Sequence, residues 1–234
     1  MPLRTARDYK QLLRTGRWFG ALEDALADAL LGPASVRALA DGEQLFARGD
    51  APSGLFAVVD GTIVVSGVGD DGKEALLTLL ESPAWFGEIS VFDRQPRTHD
   101  AVAQGQALVV HVPQAALDAL LAAEPRYWHD LGLLVTSKLR LAFTAMEDIA
   151  LLPIAVRLAR RLALMAEGYG ERAHQRRRTV EVSQDLLAMM LSTSRQTANQ
   201  LLKDLEARRL IRLSYGAIEI LDLDGLRAAG KLDA

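Results

Sequence analysis

The chain has 234 residues, half of them apolar, with 27 Lys/Arg against 30 Asp/Glu and no cysteine. That length can bury a sizeable core and suggests one large domain or two modest ones. The composition excludes disulfides, thiolate zinc sites and cysteine-held iron–sulfur clusters, and no run of about 18 uncharged apolar residues marks a membrane span.

The N-terminus, MPLRTARDYK, has no apolar signal core, so a cytoplasmic protein without membrane association is expected. The net charge of −3 hides an asymmetry. From Ile154 to Ala234 there are 14 Lys/Arg against 10 Asp/Glu, whereas the rest of the chain is acidic. A basic C-terminal part on an acidic protein points towards nucleic acid. Charge runs such as Arg176-Arg177-Arg178 are, taken alone, ordinary solvated surface.

Residues 1–34 carry a helical apolar set, including Leu12, Leu13, Trp18, Phe19, Leu22, Leu26 and Leu30, closed by Gly32-Pro33. From Val36 the period changes. Short strand-like runs follow at 45–47, 55–59, 62–65, 75–80 and 107–112, punctuated by Asp41-Gly42, Gly49-Asp50, Asp60-Gly61 and residues 69–72. Such a series predicts an antiparallel barrel or jelly roll. Pro113 ends the last run, a short helix is expected over 114–122, and Pro125 opens a longer one.

A jelly roll hosts many functions, so function must come from a site. A metal-dependent enzyme would need clustered ligands. The four histidines, His99, His111, His129 and His174, form no His-x-His pair. His111 lies in an apolar run and is expected to pack. No metal site and no enzyme are expected. The stretch 86–98, Phe-Gly-Glu-Ile-Ser-Val-Phe-Asp-Arg-Gln-Pro-Arg-Thr, is more informative. Arg97 offers a planar fork to phosphate oxygens. Gly87 lets a ligand approach the backbone. Glu88 can accept from a sugar hydroxyl, and the Thr98 hydroxyl with turn N–H groups can bind the remaining phosphate oxygens. A surface loop tied by an Arg–Glu salt bridge fits these residues equally well.

A long helix is expected over about 126–152, roughly 40 Å in length. Val135, Leu139, Ala142, Met146 and Ile149 recur in alternating steps of four and three, a narrow seam suited to a coiled-coil partner. Gly132 extends the seam, and Lys138, Arg140, Glu147 and Asp148 suit a solvated flank. A packed helix is the alternative. Pro153 stops it.

Beyond Pro153 an amphipathic helix over 154–166 is followed by Glu167-Gly168-Tyr169-Gly170 and a polar tract, 171–178, that reads as loop or edge strand. Ser183 suits the N-cap of a helix over 184–190, and Ser194 that of a second over 195–207. Two short helices joined by Leu191-Ser192-Thr193 make a helix-turn-helix, although the turn often carries glycine where Ser192 stands. Ala188, Leu191, Ala198, Leu201, Leu202 and Leu205 supply its core. Residues 210–213, Ser214-Tyr215-Gly216 and 217–221 read as a hairpin wing. Arg195 fits guanine O6 and N7, while the amides of Gln196, Asn199 and Gln200 suit adenine. Gln184, Ser194, Thr197 and Lys203 are candidates for contacts at the helix start and to the DNA backbone.

Strands, then Gly-Glu-x-x-x-Phe ending in Pro-Arg-Thr, then a long helix and the phrase Ser194-Arg-Gln-Thr-Ala-Asn-Gln-Leu-Leu-Lys-Asp-Leu-Glu, together resemble the CRP/FNR family of bacterial transcription regulators. The resemblance runs from about Leu22 to Leu223. It implies that Gly87, Glu88, Arg97 and Thr98 match the cassette that holds the ribose and cyclic phosphate of a cyclic nucleotide, the implied effector. It also implies a homodimer joined through the long helix, double-stranded DNA with a near-palindromic operator as target, and RNA polymerase as a further partner. His99-Asp100 departs from the small residue usual after Arg-Thr, and places His99 at the ligand site. Ala142 and Phe143 stand where cyclic-AMP-responsive members carry hydroxyls that touch adenine. Gln196 and Gln200 replace Glu and Arg of the best-known members.

The fold expected is α+β: an N-terminal β-roll or jelly-roll barrel with its leading helix (1–125), a long dimerisation helix (126–152) and a C-terminal winged helix-turn-helix (153–234). The function expected is a homodimeric DNA-binding regulator gated by a ligand in the barrel. The alternatives are a regulator of the same fold that binds no nucleotide and a jelly-roll enzyme.

Overall fold

The computed structural model describes residues 5–69, 74–170, 179–214 and 216–231. Residues 1–4, most of the expected turn at 69–72, the polar tract 171–178 with His174 and the arginine run, and Tyr215 of the expected hairpin lie outside the described residues. The chain forms two compact units, Met1–Val68 with Leu77–Arg140, and Gly69–Leu76 with Leu141–Ala234.

In the first unit the N-terminal stretch is not one helix. It is a 3-10 turn, Ala6–Tyr9, followed by α1 (Lys10–Leu13), α2 (Arg17–Ala21) and α3 (Asp24–Leu31). Gly16 and Leu22 take extended backbone angles on either side of α2. The Arg14 guanidinium donates to the carbonyls of Phe19, Gly20 and Leu22, acceptors that a continuing helix would offer to N–H groups four residues on. The apolar spacing is helical, but the backbone breaks at Gly16 and again at Leu22, where the Arg14 side chain satisfies the carbonyls around the second break.

The strands are β1 (Ser35–Leu39), β2 (Gln44–Phe46), β3 (Gly54–Val68), β4 (Glu74–Glu81), β5 (Trp85–Phe86) and β6 (Asp100–Pro113), with α4 (Glu88–Asp93) between the last two. Their order is β1-β6-β3-β4, with β2 added to β6 and β5 to β3. Among the described residues no pairing joins β4 back to β1, so the expected barrel is an unclosed sheet. Asp60-Gly61, expected as a turn, instead lies inside the 15-residue β3. The register against β6 steps from Val58↔Val109 to Asp60↔Leu108, a β-bulge. Gly61 has φ +73°, and a Cβ there would meet Gln106 O at 2.3 Å, so the Asp-Gly signal marks a bulge glycine rather than a chain reversal.

Before the bulge both faces of β3 are buried. Leu55, Ala57 and Val59 join one apolar cluster with Leu13, Phe19, Leu26 and Trp85; Phe56 and Val58 join another with Leu45, Phe86 and Val109. After the bulge Ile63 enters the second cluster. Full burial of a side chain of this size is worth about 1.5–3 kcal/mol.

Two helices follow, α5 (Gln114–Ala123) in the first unit and the 25-residue α6 (Tyr127–Leu151), which belongs to the first unit as far as Arg140. Tyr127, Leu131 and Leu134 of α6 enter the first cluster, and Trp18 Nε1 donates to Asp130 O at 2.7 Å. Among the described residues no helix is long and apolar enough to cross a membrane.

The second unit contains α7 (Ile154–Ala166), β7 (Thr179–Val180), α8 (Gln184–Met190), α9 (Arg195–Ala207), β8 (Ile211–Ser214), β9 (Ala217–Ile220) and α10 (Leu223–Ala229). Pro153 separates α6 from α7, as expected. The three strands pair in the order β7-β9-β8. α8 packs on α9, α9 against β8, and α10 on α7. Ala188, Leu191, Ala198, Leu202 and Leu205 are buried, and Leu201 is half-buried. α10 had no counterpart among the sequence expectations, although Asp222 caps it by accepting from Gly225 N at 2.9 Å.

Candidate ligand cassette and nucleic-acid interface

The cassette is built where β5 turns into α4. Gly87 has φ +90°, and a Cβ there would stand 2.8 Å from Arg97 Nη1 and 3.2 Å from Gly54 O. Only glycine lets the guanidinium lie against this turn. Arg97 is 4% exposed. Its Nη1 donates to Gly87 O at 2.9 Å, and its Nη2 to Gly54 O at 2.7 Å and Ser53 Oγ at 3.0 Å. The guanidinium lies 4.5 Å from the Phe46 ring centroid and 5.4 Å from that of Phe56. Phe56 stacks in turn on His111 at 4.6 Å, and His111 Nε2 donates to Ser53 O at 2.8 Å, the packing role expected of it.

These acceptors are neutral, and the Arg97 charge is not cancelled by direct contact. Burial pushes the guanidinium below its ordinary range, against the opposing pull of Glu88 and Asp50. Arg97 Nε is buried without a hydrogen-bond partner. A buried cation with an idle donor is what an anion-binding group presents before its anion arrives.

Glu88 is 5% exposed, and it faces Lys138 rather than Arg97. Lys138 Nζ lies 2.7 Å from Glu88 Oε2 and donates to Trp85 O at 2.6 Å. The expectation of a solvated Lys138 is therefore corrected: it extends the inward stripe Tyr127, Leu131, Leu134 by one further step of four, the signal that could have placed it. Asp148 is corrected likewise, since its largely covered carboxylate is paired with Arg160. Thr98 is exposed, with Oγ1 2.8 Å from His99 Nδ1. Burial, and then the Arg48 charge, hold the half-buried His99 below the usual imidazole range, with Asp100 opposing. Ser53, Gly54, Phe46 and Phe56 complete the cassette from β2, β3 and their connection; nothing local in sequence ties them to residues 87–98. Among the described residues no group of three or more His, Asp or Glu could hold a metal ion.

On α6 the heptad residues point outward. Leu139, Met146 and Ile149 are exposed, the last two at 63%, Ala142 is exposed and Val135 half-buried. Phe143, not counted in the seam, is exposed beside it. A Cβ at Gly132 would have open space around it among the described residues, none of which requires glycine there.

In the second unit both expected caps form. Ser183 Oγ accepts from Leu186 N at 3.2 Å, and Ser194 Oγ from Thr197 N at 3.1 Å, with the Thr197 hydroxyl 2.9 Å away. Ser192 takes φ +53°, the left-handed value that explains why glycine suits this turn. Gln196, Gln200 and Lys203 share the exposed face of α9, and Arg195 is exposed at its start. Gln184 is half-buried. Asn199 is also half-buried, with Oδ1 covered and unpartnered. Arg195 Nη1 lies 3.3 Å from Asp185 Oδ2, and Gln200 Nε2 donates to Asp204 Oδ1 at 3.2 Å.

Two family models match the chain: a cyclic nucleotide-binding domain over residues 36–124 and a Crp-like helix-turn-helix domain over residues 156–229. The chain is 28% identical over 186 residues to a CRP-like cAMP-activated global transcriptional regulator of Mycobacterium tuberculosis, covering 79% of this chain and 83% of that protein. It is 26% identical over 203 residues to the cyclic AMP receptor protein of Thermus thermophilus, covering 86% and 91%. Among solved structures, FixK2 from Bradyrhizobium japonicum superposes with a TM-score of 0.76 at 15% identity, over 86% of this chain and 99% of that one. The relatives are transcription regulators, not enzymes.

Proposed function

The chain belongs to the CRP/FNR family of bacterial transcription regulators, and from that premise we propose that it acts as a cytoplasmic homodimer whose hold on DNA is gated by a cyclic nucleotide in the cassette. The observation that carries ligand binding is the buried Arg97 with its unpartnered Nε. In this reading Arg97 and the Thr98 hydroxyl take the cyclic phosphate and Glu88 a ribose hydroxyl, with Gly87 opening the approach and His99 narrowing it. Ala142 and Phe143 offer no hydroxyl to a base, so selectivity for adenine is weak. The domains are 1–125 for sensing, 126–152 for dimerisation through Val135, Leu139, Ala142, Met146 and Ile149, and 153–234 for DNA.

At the operator, Arg195 reads guanine, Gln196 and Gln200 read base edges, and Gln184, Ser194, Thr197 and Lys203 hold the phosphates and the helix start. Ligand biases α6 and the Leu152-Pro153 hinge, a population shift between two arrangements of the DNA-binding domains. RNA polymerase is the partner at the promoter. The test is a screen of cyclic mono- and dinucleotides for a change in operator affinity; at least one should raise or lower it about tenfold or more, within the usual range of allosteric coupling.

A second reading, a regulator of the same fold without a nucleotide, is favoured by one observation. Both charged cassette groups already have partners within the chain, Arg97 with Gly87 O, Gly54 O and Ser53 Oγ, and Glu88 with Lys138. Titration calorimetry separates the two: no heat with any cyclic nucleotide leaves only this reading.

A further inference from the structure

The exposed face of α9 carries more than its readers. Two of them are each tied to a carboxylate: Arg195 to Asp185, at the start of α8, and Gln200 to Asp204, one turn further along α9. All four side chains are exposed. Surface carboxylates are poor neighbours for a phosphate backbone, and a helix that served only for affinity would do better without them. An acid beside a reader has a different use, which is to fix what that reader offers.

We propose that Asp185 and Asp204 are positioning residues that set the base preference of Arg195 and Gln200. The inference rests on α9 being the reading helix. Asp185 engages Nη1 of Arg195, which leaves the edge formed by Nη2 and Nε. That edge still carries two parallel donors, the match for guanine O6 and N7. The tie restrains a side chain that would otherwise lose its rotamer freedom on docking. It also weakens chance contacts of the guanidinium with phosphate.

Asp204 acts on the orientation of an amide. A carboxylate only accepts, so Gln200 must turn its NH2 towards Asp204. Its Oε1 is then left as a free acceptor beside the second N–H. That pair of functions suits the adenine edge, where N6 donates and N7 accepts, and Oε1 alone suits the cytosine amino group. Guanine offers two acceptors and leaves Oε1 facing an acceptor, so it is the base this arrangement rejects.

The test is in vitro selection from a randomised duplex library with the full chain, sequenced to give base preferences at each position, beside binding to a scrambled duplex. Asp185→Ala should lower discrimination for guanine at one position per half-site by about fivefold, the upper size of an exposed charge pair, and strengthen binding to scrambled DNA. Asp204→Ala should spread the preference at the Gln200 position, admitting guanine. Asp204→Asn should restore much of it, because an asparagine Oδ1 still accepts from Gln200. Thermal melting confirms that the variants are folded. Unchanged preferences in both Asp185→Ala and Asp204→Ala overturn the inference, provided that Arg195→Ala and Gln200→Ala do alter them. If those two also leave preferences intact, the placement of the reading helix itself is wrong and the inference falls with it.

Discussion

Lys138 and Glu88 stand 50 residues apart in sequence and 2.7 Å apart in space, joining the long helix to the first turn of the cassette. The Glu88 carboxylate is nearly inaccessible, while Lys138 keeps about a quarter of its side chain in water. The pair is therefore asymmetric. Removing the lysine strands a buried anion, whereas neutralising the glutamate leaves a cation that water can reach. Lys138→Met should cost about 1–3 kcal/mol of stability, and Glu88→Gln less. Urea denaturation of the two single variants and the double variant measures this; equal losses for the two singles would contradict the asymmetry.

Arg97 is both a candidate phosphate ligand and a structural tie. Arg97→Leu removes the donors to Gly87 O, Gly54 O and Ser53 Oγ and leaves buried acceptors bare. The variant should lose about 1–3 kcal/mol of stability and most of any affinity for a cyclic nucleotide. Calorimetry of binding beside thermal melting separates the two effects. Unchanged affinity in a folded Arg97→Leu protein would remove Arg97 from the ligand site.

The outward stripe of α6 should meet its own copy. Leu139→Asp places a charge between Val135 and Met146 and should weaken dimerisation and DNA binding together. Sedimentation across micromolar concentrations reads the first, and footprinting on a near-palindromic site the second. A wild-type protein that stays monomeric with DNA present would end the proposal.

Ser192 pays a backbone penalty that glycine avoids. At φ +53° an L side chain is strained, although glycine gives back some of the gain through its freer unfolded chain. Ser192→Gly should stabilise the protein by about 0.5–1 kcal/mol without touching the DNA face. A denaturation midpoint at or below that of the wild type would show that the serine makes a compensating contact.

Much of this architecture is legible because its signals are local. The caps at Ser183 and Ser194, the stop at Pro153 and the heptad steps of α6 need only a few neighbouring residues, and each lands within a residue or two of its expected place. The N-terminal helix is interrupted by extended backbone at Gly16 and Leu22, and the Arg14 guanidinium meets the carbonyls of Phe19, Gly20 and Leu22 only once the chain has folded back. The partners of Glu88 and Arg97 are hidden for a related reason. Lys138 lies 50 residues downstream and Ser53 lies 44 upstream, so only the folded sheet brings them together. Asn199 shows a further limit: a helical wheel places it near the readers, but packing covers its oxygen.

The bulge at Asp60-Gly61 sets a counting rule for β3. Even-numbered Phe56 and Val58 and odd-numbered Ile63 enter the same apolar cluster because β3 changes phase across two register shifts against β6, between Val58 and Asp60 and between Asp60 and Thr62. The strand thus behaves like a text with a reading frame of two. Gain or loss of a single residue between Val59 and Thr62 would shift every later side chain to the opposite side, whereas a change of two would keep the frame. Length variation at this point in natural sequences of this architecture should therefore come in pairs.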